Sequence, residues 1–124
     1  EETPFFEALY NLGIETREKD LQVFSTGMKK ADWDVGLTVD AIRLAPSLDA
    51  IVIVSGDGDY LPLVEYLQKS AGKQVEVVAF GDTTSSRLIE ATDDFIDLGK
   101  DKEKFLIIDS RFVNQTGFGV KKTR

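Results

Sequence analysis

The run AIVIVSGDGDYLPLVEYL, residues 50–67, constrains this chain more than any other stretch. Its first five residues are continuously apolar and mostly β-branched, the pattern of a strand buried on both faces of a parallel sheet. The run stops at Ser55, and a helical pattern starts almost at once, with Pro62 well placed for a first turn. A strand that feeds a helix through so short a turn reads as part of a βαβ unit. Between the two lie Asp57 and Asp59, separated only by Gly58. Two carboxylates this close repel unless a proton or a cation sits between them. In one reading Asp59 N-caps the following helix and Asp57 merely turns the chain. In the other the pair holds a cation, and Gly56 and Gly58 leave room for a substrate close to the backbone.

The remaining segments repeat the alternation. Residues 4–13 predict a helix, with Phe5, Phe6, Leu9 and Leu12 at helical spacing and Gly13 as a stop. Residues 14–24 become rich in β-formers and predict a strand, followed by a loop over 25–31. A second helix is expected from Asp32 or Trp33 to about Ala45, ended by Pro46. The helix after Pro62 should run to Ala71 and Gly72. Then come a strand at 74–80, a short helix at 86–92, a strand in DFIDL and an edge strand at 104–109. Strands alternating with helices predict an α/β fold whose mostly parallel sheet is covered on both faces. In such sheets ligands bind beyond the carboxyl ends of the strands, where Ser55–Asp59 lie. The expected organisation is one domain over residues 1–99 and a basic segment over 100–124.

Composition narrows the chemistry. The 124 residues include no Cys and no His. Disulfides, thiol nucleophiles, Cys/His zinc sites and the Ser-His-Asp triad are thereby excluded. Catalysis would rest on carboxylates, hydroxyls, Lys, Tyr or a metal held by oxygen, which suits Mg²⁺, Ca²⁺ or Mn²⁺. The net charge of −7 argues against indiscriminate nucleic-acid binding by the whole surface. The charge is uneven, however: residues 100–124 carry about +4 and the remainder about −11. A basic tail beside an acidic body either guides a phosphate backbone toward a metal site or is a solvated terminus. No apolar run approaches the ~18 residues of a membrane span. The opening EETPFFEALY lacks the basic start and apolar middle of a signal peptide. The expectation is a cytoplasmic protein with no membrane partner.

Further acids lie in KKADWDVGLTVDAIRLA, residues 29–45. Asp34 falls in the first helical turn, where a carboxylate meets the helix dipole favourably. Asp40 lies mid-helix, a poor position for Asp unless it is exposed or employed. Gly36 is one turn before it and would open space beside the carboxylate. Lys29 and Lys30 precede this helix, either as a solvated loop or as phosphate contacts. In GDTTSSRLIEA, Ser85 or Ser86 caps a helix or touches phosphate.

Taken together, KKADWDVGLTVDAIRLA, DAIVIVSGDGDYLPLVEYLQKSAGKQVEVVAF and SSRLIEATDDFIDL resemble the NYN domain, most closely the LabA-like bacterial branch of the PIN-like nuclease superfamily. The spacing of D-V-x-L-x-x-D, S-G-D-x-D-[FY] and F-I-D-L carries the resemblance, which runs from about Pro4 to Leu98. It implies a PIN-like three-layer α/β/α sandwich and hydrolysis of RNA by a ribonuclease using Mg²⁺ or Mn²⁺. Carried over by position, the catalytic and metal-binding acids are Asp34, Asp40, Asp57 and Asp59. Ser55, Lys29, Lys30 and Ser85 are the substrate-binding candidates. The alternative is a non-catalytic regulatory or RNA- or protein-interaction module that retains the fold.

The family also has an opening apolar strand ending in Asp, in a pattern like F-I-D-x-x-N, ahead of the helix that begins here at Pro4. The expectation is that this chain is a fragment lacking it, binds metal more weakly, and exposes apolar surface that favours homo-oligomers. KFLIIDSRFVN, residues 104–114, looks superficially like that strand and offers Asp109 as a substitute if the fold is permuted. Otherwise it is a peripheral strand or docking segment.

Overall fold

A computed structural model describes residues 3–20, 22–27, 29–30 and 32–107; of Gln22, Lys29 and Lys30 it describes the backbone alone. The chain divides into two compact units, Glu1–Leu37 and Thr38–Arg124.

In the first unit, helix α1 spans Thr3–Asn11. It ends at Gly13, whose φ of +77° is open to glycine at no steric cost. Residues 14–20 are irregular, and the predicted strand over 14–24 shrinks to β1, Gln22–Val23, paired antiparallel with β2, Lys29–Lys30. Two pairs of residues are too few to sustain a ladder along the charged run before them, and Val23 is 65% exposed. The expected loop at 25–31 therefore contains the returning half of a hairpin. Helix α2, Asp34–Leu44, begins in this unit and continues into the second.

The second unit carries the predicted alternation. A 3-10 turn, Ala45–Ser47, leads from α2 to β3, Ala50–Ile53. After the carboxylate turn come α3 (Leu61–Lys69), β4 (Gln74–Ala79), α4 (Ser86–Ala91) and β5 (Asp94–Asp97). The strands form a parallel sheet in the order β3-β4-β5. Ile53 pairs with Val77, and Val77 with Phe95, so these three share one face.

Helices α3 and α4 complete a core of Leu63, Val64, Leu67 and Leu88 with Ile53, Val75, Val77 and Ala79. Leu63, Val64 and Leu67 recur at helical spacing on α3, while Glu65 and Lys69, one turn apart on its open side, approach to 3.6 Å. The chain leaves α3 through Gly72, at a φ of +65°, with the Lys73 amide donating to the Leu67 carbonyl at 2.8 Å.

Within the second unit the apolar run of β3 buries Ile53 on the face covered by α3 and α4, while Val52 and Val54, which alternate with it, are 52% and 71% exposed. Within the edge strand expected at 104–109, Lys104 and Phe105 belong instead to a helical turn, α5, Lys102–Phe105, because Asp101 accepts the Lys104 amide at 3.3 Å and caps it. The end of that segment, with Asp109, lies outside the described residues.

Candidate active site

The carboxylate turn sits at the carboxyl end of β3, as the alternation predicts. Its local geometry reverses the expected capping roles. Asp57, not Asp59, is the cap: its Oδ1 accepts the Asp59 amide at 2.9 Å and its carbonyl accepts the Tyr60 amide at 3.2 Å. This winds Gly58–Tyr60 into a 3-10 turn that runs directly into α3 at Leu61. Tyr60 is buried and anchors the turn to the core. Ser55 acts one step earlier, its Oγ accepting the Asp57 amide at 3.2 Å. Hydroxyl and carboxylate thus form consecutive two-residue side-chain turns, a common use of Ser and Asp where a backbone leaves a strand. Both carboxylates remain exposed to solvent.

The glycines of the turn make room for the protein's own side chains rather than for open substrate space. A Cβ on Gly56 would lie 2.6 Å from Thr84 Oγ1, and one on Gly58 would lie 3.0 Å from Ser85 Cβ. The Ser85 amide donates to the Gly56 carbonyl at 3.3 Å, so Ser85 is brought to the carboxylate turn. Its side chain makes no capping bond to α4; the helix begins instead with the Leu88 and Ile89 amides on the Ser85 carbonyl, both at 3.1 Å.

The other expected residues are placed as follows. Asp34 is the first residue of α2, its amide donating to Asp32 Oδ1 at 3.1 Å. Asp40 is mid-helix and meets Arg43 Nη2 at 3.1 Å, one turn on, with its side chain 35% exposed. Gly36 serves Trp33 and not Asp40, since a Cβ there would overlap the indole ring. Lys29 and Lys30 form β2 by their backbone. Among the described residues no three acidic side chains gather in a group able to hold a metal ion.

The donor chemistry of the turn nevertheless fits a small hard cation. Mg²⁺ is commonly bound through one or two carboxylates together with substrate phosphate rather than in an all-protein cage. Asp57 commits one oxygen to the Asp59 amide, which fixes its carboxylate while the second oxygen is left for a ligand.

Asp97 is a residue that the sequence reading did not single out. At the end of β5 its Oδ1 accepts the Gly81 amide at 2.9 Å and the Gly99 amide at 2.8 Å. These two bonds, Gly81 foremost, hold its carboxyl below the usual carboxylate range against the opposing effect of burial, with Lys100 and Lys102 adding a smaller pull. Asp93 plays a similar part at the other end, accepting the Val75 amide at 2.7 Å and Gln68 Nε2 at 3.1 Å; the backbone bond chiefly lowers its pKa. The available signal for Asp97 was its position, a strand-ending Asp two residues before Gly99, the spacing of an Asx turn.

Among the described residues no helix is long and apolar enough to cross a membrane.

Comparison with known proteins agrees with this architecture. The chain is 33% identical over 100 residues to the low amplitude and bright protein LabA of Synechococcus elongatus, covering 76% of this chain and 53% of LabA. It therefore spans about half the length of that curated relative. A crystal structure of a protein of unknown function from Vibrio parahaemolyticus superposes with a TM-score of 0.72 at 39% identity, covering 81% of this chain and 62% of that one. The model of the NYN domain matches residues 1–99. With that match over most of its length, the chain belongs to the NYN domain family, a nuclease-like family with a PIN-like α/β fold.

Proposed function

We propose that this chain is a metal-dependent ribonuclease, hydrolysing RNA phosphodiester bonds at the Ser55–Asp59 turn. The observation that carries the reading is the turn itself. Two exposed carboxylates stand at the carboxyl end of a parallel strand, one of them fixed by the Asp59 amide. The bond from the Asp59 amide to Asp57 Oδ1 holds the turn that carries both acids in one conformation. Membership of a nuclease-like family supports the same chemistry.

What Mg²⁺ or Mn²⁺ supplies there, when bound, is positive charge against the phosphate and a more acidic water. Asp57 and Asp59 would hold the cation. Asp57 presents its uncommitted oxygen in a fixed orientation, and Ser55 keeps the turn in register through the Asp57 amide. Asp40 and Asp34 are the further acids that the family pattern assigns, each tested by its own substitution to Asn.

The deciding measurement is cleavage of single-stranded RNA with Mn²⁺ or Mg²⁺. It compares this chain with the Asp57→Asn/Asp59→Asn double variant. Metal-dependent cleavage lost in the double variant supports the enzyme. RNA binding without cleavage would assign a non-catalytic RNA-interaction module instead.

A further inference from the structure

Beside the carboxylate turn, the second unit contains a cleft of about 250 Å³ lined by Val54, Ser55, Phe80, Thr83 and Leu98 over a floor of Val78 and Ala79. Its walls are apolar and open to solvent: Phe80 is 39% exposed and Val54 is 71% exposed. Leaving an aromatic ring half in water forgoes burial that the adjacent core could have provided.

The backbone that carries the ring is well held. The Phe80 carbonyl accepts Thr84 Oγ1 at 2.7 Å and the Thr83 amide at 3.1 Å, and the next residue, Gly81, donates to Asp97 at 2.9 Å. On the far wall, the Leu98 amide donates to the Ala79 carbonyl at 2.9 Å. The cleft is thus held by the strand ends and needs little ordering when a ligand arrives.

Its polar groups are few and complementary. Ser55 Oγ accepts the Asp57 amide, so its proton remains to be donated. Thr83 Oγ1 donates to the Phe80 carbonyl at 3.3 Å, so its lone pairs remain to accept. The volume is below the ~300 Å³ at which drug-sized sites begin, so the cleft suits one flat ring system. A flat π-face and edge atoms that both donate and accept describe an unpaired nucleobase. The phosphate would lie at Asp57, which adjoins the cleft through Ser55 and Gly56.

We propose that this cleft is a base-binding subsite, in which the base of the nucleotide next to the scissile phosphate stacks on Phe80. The assignment of that neighbouring phosphate rests on the ribonuclease reading; the base site itself does not. None of the residues lining the cleft is cationic. Binding there should accordingly draw on stacking more than on phosphate neutralisation, and depend on salt only weakly.

The test uses the full chain and a single-stranded RNA carrying one 2-aminopurine. The Asp57→Asn variant serves as the background that keeps the strand intact. Stacking should quench the fluorophore. Phe80→Ala should weaken binding about tenfold and abolish the quench, whereas Phe80→Tyr, which keeps the ring, should retain both. An abasic site in place of the fluorophore should weaken binding to a similar extent. Equal quenching with single-stranded DNA would support the site as a reader of bases rather than sugars.

Quenching and affinity unchanged in Phe80→Ala, or an abasic strand bound as tightly as the intact one, overturns the subsite. So does an absence of binding by the otherwise wild-type chain. The two readings separate cleanly. Phe80-dependent quenching in the Asp57→Asn background, with no metal-dependent cleavage by the chain that retains Asp57, keeps the subsite and removes the ribonuclease. Cleavage indifferent to Phe80 and to the abasic site does the reverse.

Discussion

Asp57 Oδ1 accepts the Asp59 amide at 2.9 Å, so the first carboxylate of the pair fixes the backbone that carries the second. One acid therefore has both a structural and an electrostatic task, and substitutions can separate the two.

Asparagine keeps an oxygen acceptor at position 57 and caps as well as aspartate. Asp57→Asn should leave the melting temperature close to wild type while removing metal-dependent RNA cleavage. Asp57→Ala should remove cleavage and also destabilise by ~1 kcal/mol, the usual cost of a lost N-cap. Asp59→Asn should behave like Asp57→Asn, because only the Asp59 amide enters the turn. Thermal melts beside a cleavage assay decide the matter; an Asp57→Asn protein that unfolds early would show that the charge itself holds the turn.

Packing at the turn yields a coupled prediction. A Cβ on Gly56 would meet Thr84 Oγ1 at 2.6 Å and Thr84 Cβ at 3.3 Å. The hydroxyl cannot easily swing away, since it is β-branched and bonded to the Phe80 carbonyl at 2.7 Å. Gly56→Ala should cost ~1–3 kcal/mol, as overpacking does. In a Thr84→Ala background the same change should cost clearly less, because the nearest clashing atom is gone. Denaturant unfolding of the four proteins in the cycle measures that non-additivity. Strict additivity would show that the backbone relaxes instead.

Much of this was legible in the sequence, for identifiable reasons. As far as β5 the second unit is punctuated by Pro46, Pro62 and Gly72 and by abrupt changes from strand to helix pattern, so those elements fall within a few residues of expectation. Such punctuation is missing between Ile14 and Phe24, where Val23 and Phe24 suggest β-structure but neither is buried. Burial, not propensity, decides whether a short strand extends. The carboxylate turn was recognisable, but the direction of its capping was not. Whether Asp57 or Asp59 caps depends on where the 3-10 turn starts, and a D-G-D triplet permits both. Gly36 and Gly56 look like openings in the sequence, which shows the missing side chain and not the neighbour that fills the space. The roles of Trp33 and Thr84 come from packing.

The core supplies a contrast of magnitudes on a single helix. Leu67 is fully buried in α3, whereas Tyr66 beside it is 44% exposed. Leu67→Ala should cost ~2–5 kcal/mol, through lost burial and the cavity left behind. Tyr66→Ala should cost under about 1 kcal/mol, since most surface substitutions remain near neutral. Comparable losses at the two positions would mean that the outer side of α3 is covered in solution, by another copy of the chain or another partner.

Asp97 gives the pH prediction. Its pKa is lowered in the native state by the Gly81 and Gly99 amides, and that of Asp93 chiefly by the Val75 amide. For a carboxylate whose native pKa is depressed, the unfolded chain takes up the proton first as the solution is acidified. The stabilisation is thus complete above the unfolded value of about 3.9 and is lost as pH falls through the lower native value. Stability should be flat in these two groups from neutral pH down to about pH 5 and decline below it. Asp97→Asn retains an oxygen for both glycine amides but cannot titrate. It should lower stability at pH 7, where the charge strengthens both bonds. Its loss of stability on acidification should be shallower than that of the wild type, so the two curves converge toward low pH. Denaturant unfolding at intervals between pH 7 and pH 2.5 provides the comparison. Parallel curves would mean that the Asp97 charge contributes nothing to holding the 80–81 and 98–99 segments against the end of β5.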